Sequence, residues 1–195
     1  MMKKKLTAIL IACLCVAEAT SVVVPIAEPV TVMAATKAGT KQTKKKAPSL
    51  NKVYKAVKKA YGDSYTLDTR ANKENIKQMY GIKSSWYTSA IAEYKTINIY
   101  PADLVIVKAK DDKSKKKIKK ALTEYKKQQI ENNRFYGGSL IKCQAARIYV
   151  KDNYVCFFML GEIDNKTEEQ GEEKALAAYK KQNEKAVNAI KKLYK

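Results

Sequence analysis

The stretch KCQAARIYVKDNYVCFFML, residues 142–160, decides the fold. Two runs rich in β-branched and aromatic residues, 142–150 and 154–160, flank the dipeptide Asp152-Asn153. Asp and Asn tolerate the positive φ angles of a tight two-residue turn, and the flanking runs have the composition of strands. The pattern therefore predicts a β-hairpin with this dipeptide at its turn.

The predicted hairpin keeps two cysteines apart. A two-residue turn puts Lys151 opposite Tyr154, and therefore Tyr149 opposite Cys156. Cys143 then lies six residues beyond Tyr149 on its strand, about 20 Å away at about 3.3 Å per residue. Because a disulfide needs Cα atoms within about 7 Å, the sequence predicts two free, buried thiols.

Outside the hairpin, the hydrophobic pattern changes between helical and extended periods. Apolar residues at spacings of three and four predict helices, and runs of β-branched and aromatic residues predict strands. The predicted helices cover 49–61, 72–80, 112 to about 137, and 167–195, and the other predicted strands cover 85–94 and 102–108. The order helix, helix, strand, strand, helix, strand, strand, helix predicts an α+β domain with a mainly antiparallel four-stranded sheet packed with helices.

Composition and capping signals mark the ends of this domain. Residues 36–48 contain five lysines and no large apolar side chain, so they cannot bury a core. Thr167 and Gln170 have the spacing of a capping box at the start of the last helix. We therefore expect a Lys-rich linker over 36–48 and a single folded domain over 49–195.

The amino terminus has the pattern of a bacterial export signal. Three lysines, Lys3, Lys4 and Lys5, precede an apolar run over 6–16, and small residues follow. The run has about eleven residues, whereas a membrane-spanning helix needs about 20. The sequence predicts a signal peptide over 1–35, export from the cytoplasm, and no transmembrane helix in the mature chain.

The sequence leaves two alternative cleavage positions for this leader. Residues 10–13, LIAC, resemble the lipobox of bacterial lipoproteins, in which the cysteine, here Cys13, is lipidated after cleavage. Lipoproteins normally continue with a polar tether, whereas apolar residues here continue to Ile26. The small residues Ala34 and Ala35 precede the Lys-rich linker directly. We favour cleavage near Ala34 or Ala35, which releases the protein, over lipidation of Cys13.

The chain is strongly basic, with 39 Lys and Arg against 19 Asp and Glu and a net charge of +20. Removal of residues 1–35 leaves +19, and residues 49–195 alone carry about +14. Such an excess favours a polyanionic partner. Because export separates the protein from nucleic acid, we expect anionic cell-wall polymers or a membrane surface with anionic headgroups. The candidate binding residues lie on one predicted helix: Lys113, Lys115, Lys116, Lys117, Lys119 and Lys120.

Few residues are suited to catalysis. The sequence has no histidine, which is the commonest general base and a member of the Ser-His and Cys-His nucleophile pairs. It has no glycine-rich phosphate loop, CxxC pair or HExxH motif, and we expect no cofactor and no metal. Glu93, Asp103 and Glu162 lie near predicted strand ends, and Gln129 lies on an apolar helical stripe. We interpret the acids as solvated or turn-stabilising groups; a polar site that includes Glu93, Asp103 and Gln129 is the alternative.

Three motifs occur in a fixed order: MYGI at 79–82, ADLVIVKAKD at 102–111 running into a charged helix with Gln129, and DNYVCFFMLG at 152–161. In this combination they resemble domain of unknown function family 4358, which comprises small exported proteins of Gram-positive bacteria, many of them lipoproteins. The resemblance covers about residues 50–162.

The resemblance implies an acidic residue where Asp103 stands, and often an arginine near Tyr125, where this sequence has none. It implies no established activity and no catalytic residues. Together with the leader and the charge, it favours a secreted or cell-envelope-associated, non-catalytic binding protein. The alternative is a secreted hydrolase or transferase that uses carboxylates without histidine.

Overall fold

The computed structural model describes residues 47–96 and 100–195. The predicted signal peptide, Cys13 and most of the predicted linker lie outside the described residues. The described helices are α1 (Leu50–Tyr61), α2 (Lys73–Tyr80), α3 (Asp112–Asn132), α4 (Gly137–Ala145), α5 (Asn165–Glu168) and α6 (Glu172–Lys192). The strands are β1 (Thr69–Arg70), β2 (Tyr87–Tyr94), β3 (Asp103–Ala109), β4 (Arg147–Lys151) and β5 (Tyr154–Met159).

The strands form one antiparallel sheet in the order β1-β2-β3-β5-β4. The predicted hairpin is β4-β5, and its register is confirmed: Lys151 lies opposite Tyr154, and Tyr149 lies opposite Cys156. Asp152 in the turn has φ 52°, the positive value that the tight turn requires. The prediction of an α+β domain with an antiparallel sheet is therefore confirmed.

The sheet has five strands, so the prediction of four is wrong. The additional strand, β1, has only two residues, Thr69 and Arg70, which pair with Tyr94 and Glu93 of β2. A segment this short has no readable alternation of apolar and polar residues. Its position at the edge of the sheet places Arg70 next to Glu93.

Helices cover both faces of the sheet. On one face, α3 buries Ile118 and Leu122 against β3 and β5. On the other face, α1 and α6 bury a second cluster that includes Val57 and Ile190. Because β5 is enclosed on both sides, all its side chains are buried and its sequence reads as a continuous apolar run.

The segment before β4 differs from its prediction. Residues 137–145 form helix α4, and the strand begins only at Arg147. Helix α3 ends at Asn132, earlier than predicted, where the backbone N–H and the side-chain amide of Asn133 both donate to the Gln129 carbonyl. In α4, side chains on several sides are buried, and a short buried helix cannot be distinguished from a buried strand by periodicity.

Cys143 and Cys156 are buried free thiols, as predicted. The reason differs from the predicted one, because Cys143 lies on α4 and not on a strand. Cys143 belongs to the cluster under α3, and Cys156 to the cluster under α1 and α6. The sheet therefore separates the two sulfur atoms.

The last helix begins later than predicted. Asp164 accepts hydrogen bonds from the backbone N–H and the hydroxyl of Thr167, at 2.7 and 2.8 Å, and so caps the short helix α5. Gly171, at φ 101°, precedes α6, which starts at Glu172. The predicted capping box of Thr167 and Gln170 is therefore wrong, because Thr167 lies inside α5 and Gly171 is the N-cap of α6.

In the described part of the chain, no helix is both long and apolar enough to cross a membrane.

Candidate functional site

The predicted basic residues lie on the first half of α3. Asp111 caps this helix, and its carboxylate accepts from the Ser114 N–H at 2.6 Å. Ile118 and Leu122 are fully buried against the sheet, which directs the lysines of the same turns outward. Five of the six predicted lysines are exposed and are here called the lysine face: Lys113, Lys116, Lys117, Lys119 and Lys120.

The sixth lysine, Lys115, has a structural role. Its Nζ atom lies 3.0 Å from the Asp152 carbonyl and 2.5 Å from Asp112 Oδ1. The Lys115 side chain therefore connects the start of α3 with the turn of the β4-β5 hairpin. By contrast, no residue of the lysine face forms an ion pair within the described residues.

A groove of about 360 Å³ lies between α2 and α3, beside the lysine face. We call it the α2–α3 groove. Its walls are partly aromatic and partly basic, and the Lys117 ammonium lies 5.5 Å from the centroid of the Trp86 ring. Its lining includes Met79, Tyr80, Trp86, Lys117, Lys120 and Tyr125.

Local sequence explains the shape of the groove. Gly81 ends α2 with φ 67°, a left-handed conformation that glycine adopts without steric cost. Ile82 is then fully buried, which holds the chain against the core. The short 3-10 turn Ser84–Trp86 brings the half-buried Trp86 beside α3 just before β2 begins.

Beneath the groove, a buried carboxylate joins two tyrosines. Tyr80 donates to Asp103 Oδ1 at 2.8 Å, and Tyr125 donates to Oδ2 at 2.9 Å. Asp103 is only 4% exposed. Burial raises the pKa of Asp103 to about 6, although the two tyrosine hydroxyls and the charge of Lys142 act in the opposite direction. Burial and the same carboxylate raise the pKa values of both tyrosines, which therefore remain hydrogen-bond donors.

Glu93 is a separate carboxylate on the opposite face of the sheet. It accepts from Tyr54 at 2.9 Å, from Tyr65 at 2.5 Å and from an Arg70 guanidinium nitrogen at 2.8 Å. Burial opposes its ionisation, but the hydrogen bonds from Tyr65, Arg70 and Tyr54 outweigh burial and lower its pKa. Both oxygens are occupied, so Glu93 stabilises the packing of α1 and β1 on β2.

Two of the predicted acids, Glu93 and Asp103, do not come together. Glu93 lies opposite Leu104, whereas Asp103 lies opposite Tyr94, so the two carboxylates point to different faces of the sheet. Glu162 pairs with Lys142, with Oε1 2.9 Å from Nζ. In residues 47–96 and 100–195, no group of three His, Cys, Asp or Glu side chains is arranged to hold a metal ion.

Gln129 is half-buried on α3 and does not line the α2–α3 groove. Its backbone carbonyl accepts the two hydrogen bonds from Asn133 that end the helix. Because Glu93 and Asp103 point to different faces of the sheet, these two acids and Gln129 do not form one polar site.

The predicted helices 72–80 and 112 to about 137 contain Tyr80 and Tyr125, but the sequence did not indicate that both side chains reach Asp103. The signal was only partial: MYGI at 79–82 combines a tyrosine with a helix stop, but the motif does not identify Asp103 as the partner. The position of Trp86 beside Lys117 left no such signal, since it depends on a single 3-10 turn. The burial of Lys142 was also missed, because its helix was interpreted as a strand.

A family profile described as Domain of unknown function (DUF4358) matches residues 60–160, just over half of the 195-residue chain. The match runs from the end of α1 to the end of β5 and includes Asp103, the α2–α3 groove and the lysine face. It confirms the resemblance identified from the sequence. No curated protein and no solved structure gives a significant match.

Proposed function

We propose that this chain, which belongs to the DUF4358 family, is a non-catalytic binding protein, secreted or associated with the cell envelope. In this proposal the lysine face contacts anionic wall polymers or lipid headgroups. The observation that carries the proposal is a set of five exposed lysines on one rigid helix with no ion-pair partner in the described part of the chain.

These lysines repel one another in the free protein. Residues three and four apart on a helix are neighbours, and like charges at that spacing cost about 0.2–0.5 kcal/mol per pair. Lys113 has Lys116 and Lys117 at those spacings, and between residues 113 and 123 there is no acid. A polyanion relieves this repulsion, and each cation close to an anionic membrane surface contributes about 1 kcal/mol.

The predicted export signal supports wall polymers and headgroups over nucleic acid as the polyanion. The positions of the acids support binding over catalysis. A hydrolase that uses two carboxylates needs them within about 10 Å of each other on one cleft, whereas Glu93 and Asp103 point to opposite faces of the sheet. No observation in the described residues favours the alternative of a carboxylate-dependent hydrolase or transferase.

The proposal is tested by retention of the purified protein on anionic wall polymer and on anionic or zwitterionic vesicles. We expect retention on the anionic materials at about 0.01 M salt, where charges act over about 30 Å, and its loss at about 1 M salt, where they act over about 3 Å. Zwitterionic vesicles are expected to retain nothing. Absence of retention on every anionic material at low salt would contradict the proposal.

A pair of variants with equal changes in net charge identifies the surface that binds the polyanion. One variant changes the five residues of the lysine face to glutamine. The control removes the same charge from five exposed lysines of α1 and α6 that form no ion pair in the described chain: Lys52, Lys55, Lys59, Lys181 and Lys192. We expect the first variant to lose retention and the control to keep most of it; equal losses would show that net charge alone drives binding.

A further inference from the structure

We propose that the α2–α3 groove is a binding subsite for an anionic saccharide, a sugar ring that carries a phosphate or a carboxylate. The ring lies against Trp86, and Lys117 and Lys120 bind the acid group. This inference rests on the proposed function and deepens it, because it gives the lysine face a specific ligand class in place of a general attraction to polyanions.

The two lysines of the groove are arranged to share one anion. Lys117 and Lys120 are three residues apart on α3, which places their Cβ atoms about 5–6 Å from each other. Neither forms an ion pair with a described carboxylate. Glu124, an acid in the groove lining, has its charge offset by Lys127 at 3.2 Å.

The other walls suit a polyhydroxylated ring. Trp86 and Met79 are half-buried and offer apolar surface, and the indole combines an apolar body with one N–H donor. Gln78 and Gln128 also line the groove, and amide groups both donate to and accept from hydroxyl groups. A volume of about 360 Å³ falls within the range of small-molecule sites, about 300–1,000 Å³.

The groove is also preorganised. Tyr80 and Tyr125 line its inner wall, and their hydroxyls are fixed by Asp103 at 2.8 and 2.9 Å. Their rings pack edge to face with centroids 4.7 Å apart. Because these side chains are already ordered, a ligand does not lose binding free energy to their immobilisation.

Fluorescence tests the subsite directly, because Trp86 is the single tryptophan of the chain. The protein is titrated at constant ionic strength with glucose 6-phosphate, glucuronate, glucose and inorganic phosphate. We expect at least one charged sugar to change the Trp86 emission and to bind about tenfold more tightly than glucose or inorganic phosphate. A response to only one of the charged sugars still supports the proposal and assigns the acid group.

Three results overturn the inference: no response to either charged sugar, equal affinity for glucose, or equal affinity for inorganic phosphate. The last result would define a simple anion site. A matched pair of variants locates the binding. K117Q/K120Q is expected to weaken binding about tenfold, and K52Q/K55Q, which removes the same charge from exposed lysines of α1 outside the groove, to change it by less than about twofold. Equal effects of the two pairs would also overturn the inference.

The experiments distinguish failure of the proposed polyanion binding from failure of the proposed saccharide subsite. Retention on wall polymer without a Trp86 response to sugars leaves the proposed function in place and removes the subsite. A Trp86 response without retention on polymer or vesicles supports a small-molecule site and removes the polyanion-binding function. Circular dichroism of each variant verifies that the fold is unchanged.

Discussion

Tyr80 and Tyr125, from helices α2 and α3, donate hydrogen bonds to the two different oxygens of Asp103 while their rings pack edge to face. The carboxylate belongs to the first residue of β3, so one buried group connects two helices with a central strand. The connection lies in the family-matched region, and it forms the inner wall of the α2–α3 groove.

Removal of one of these hydroxyls leaves a buried carboxylate oxygen without its donor. We expect Tyr125→Phe and Tyr80→Phe each to lower the free energy of unfolding by about 1–3 kcal/mol. Because the two hydroxyls share one acceptor group, the double variant is expected to deviate from the sum of the single variants. Urea unfolding at neutral pH measures all three. Tyr136→Phe, at an exposed position, is the control and is expected to change stability by less than about 0.5 kcal/mol.

The carboxyl of Asp103 makes stability depend on pH in a defined window. Its pKa is about 6 in the folded protein against an ordinary value of 3.8, so between about pH 4 and pH 6 the folded state binds more protons than the unfolded chain. The free energy of unfolding therefore falls as the pH rises through this window. The whole effect of the shift is about 3 kcal/mol, and it is complete above about pH 6.

The variant Asp103→Asn isolates this effect, because it cannot titrate. From pH 4 to pH 7, we expect the wild type to lose up to about 3 kcal/mol of unfolding free energy relative to the variant. Denaturant unfolding at several pH values measures the difference. A difference that stays constant across this range would contradict the raised pKa.

The two thiols are expected to resist modification in the folded protein. Cys143 and Cys156 are both fully buried, and burial raises the pKa of the Cys143 thiol to about 12 and that of Cys156 further. Because the thiolate is the reactive form, a thiol reagent at pH 8 should label neither cysteine until the protein unfolds. Fast labelling of Cys143 in native buffer would show local opening at α4, and fast labelling of Cys156 would show local opening at β5.

Patterns of local sequence predicted the parts of the fold that depend on neighbouring residues. The Asp152-Asn153 turn gave the correct register of β4 and β5, and the apolar spacing over 112 to about 137 predicted the helix that carries the lysines. The predictions that failed concern segments whose conformation depends on tertiary contacts. The two residues of β1 are extended because they pair with β2, and α4 is helical although its buried run resembles a strand.

The candidate site was predictable only in part for the same reason. The lysine face follows from composition and helical period, both of which are local. The meeting of Tyr80, Tyr125 and Asp103 requires contacts between residues that are more than 20 positions apart in the chain, and no pattern in one segment encodes it. The burial of Lys142 likewise depends on Glu162, which follows the end of β5.

Lys142 lies between the exposed Glu162, with which it pairs, and the buried Asp103. Its side chain has no exposed surface, its Nζ atom lies 2.9 Å from Glu162 Oε1, and its charge lowers the pKa of Asp103. Lys142→Met keeps the length of the side chain but removes that charge, so the burial of Asp103 is no longer offset by a cation. We expect the pKa of Asp103 in this variant to rise above about 6, which moves the pH-dependent loss of stability to higher pH.

Comparison of Lys142→Met with Lys142→Met/Asp103→Asn across the pH range measures the new midpoint. Glu162→Gln, which removes the partner and keeps the ammonium, is the control and should leave that midpoint lower than in Lys142→Met; an unchanged midpoint in Lys142→Met would show that the lysine charge does not reach Asp103.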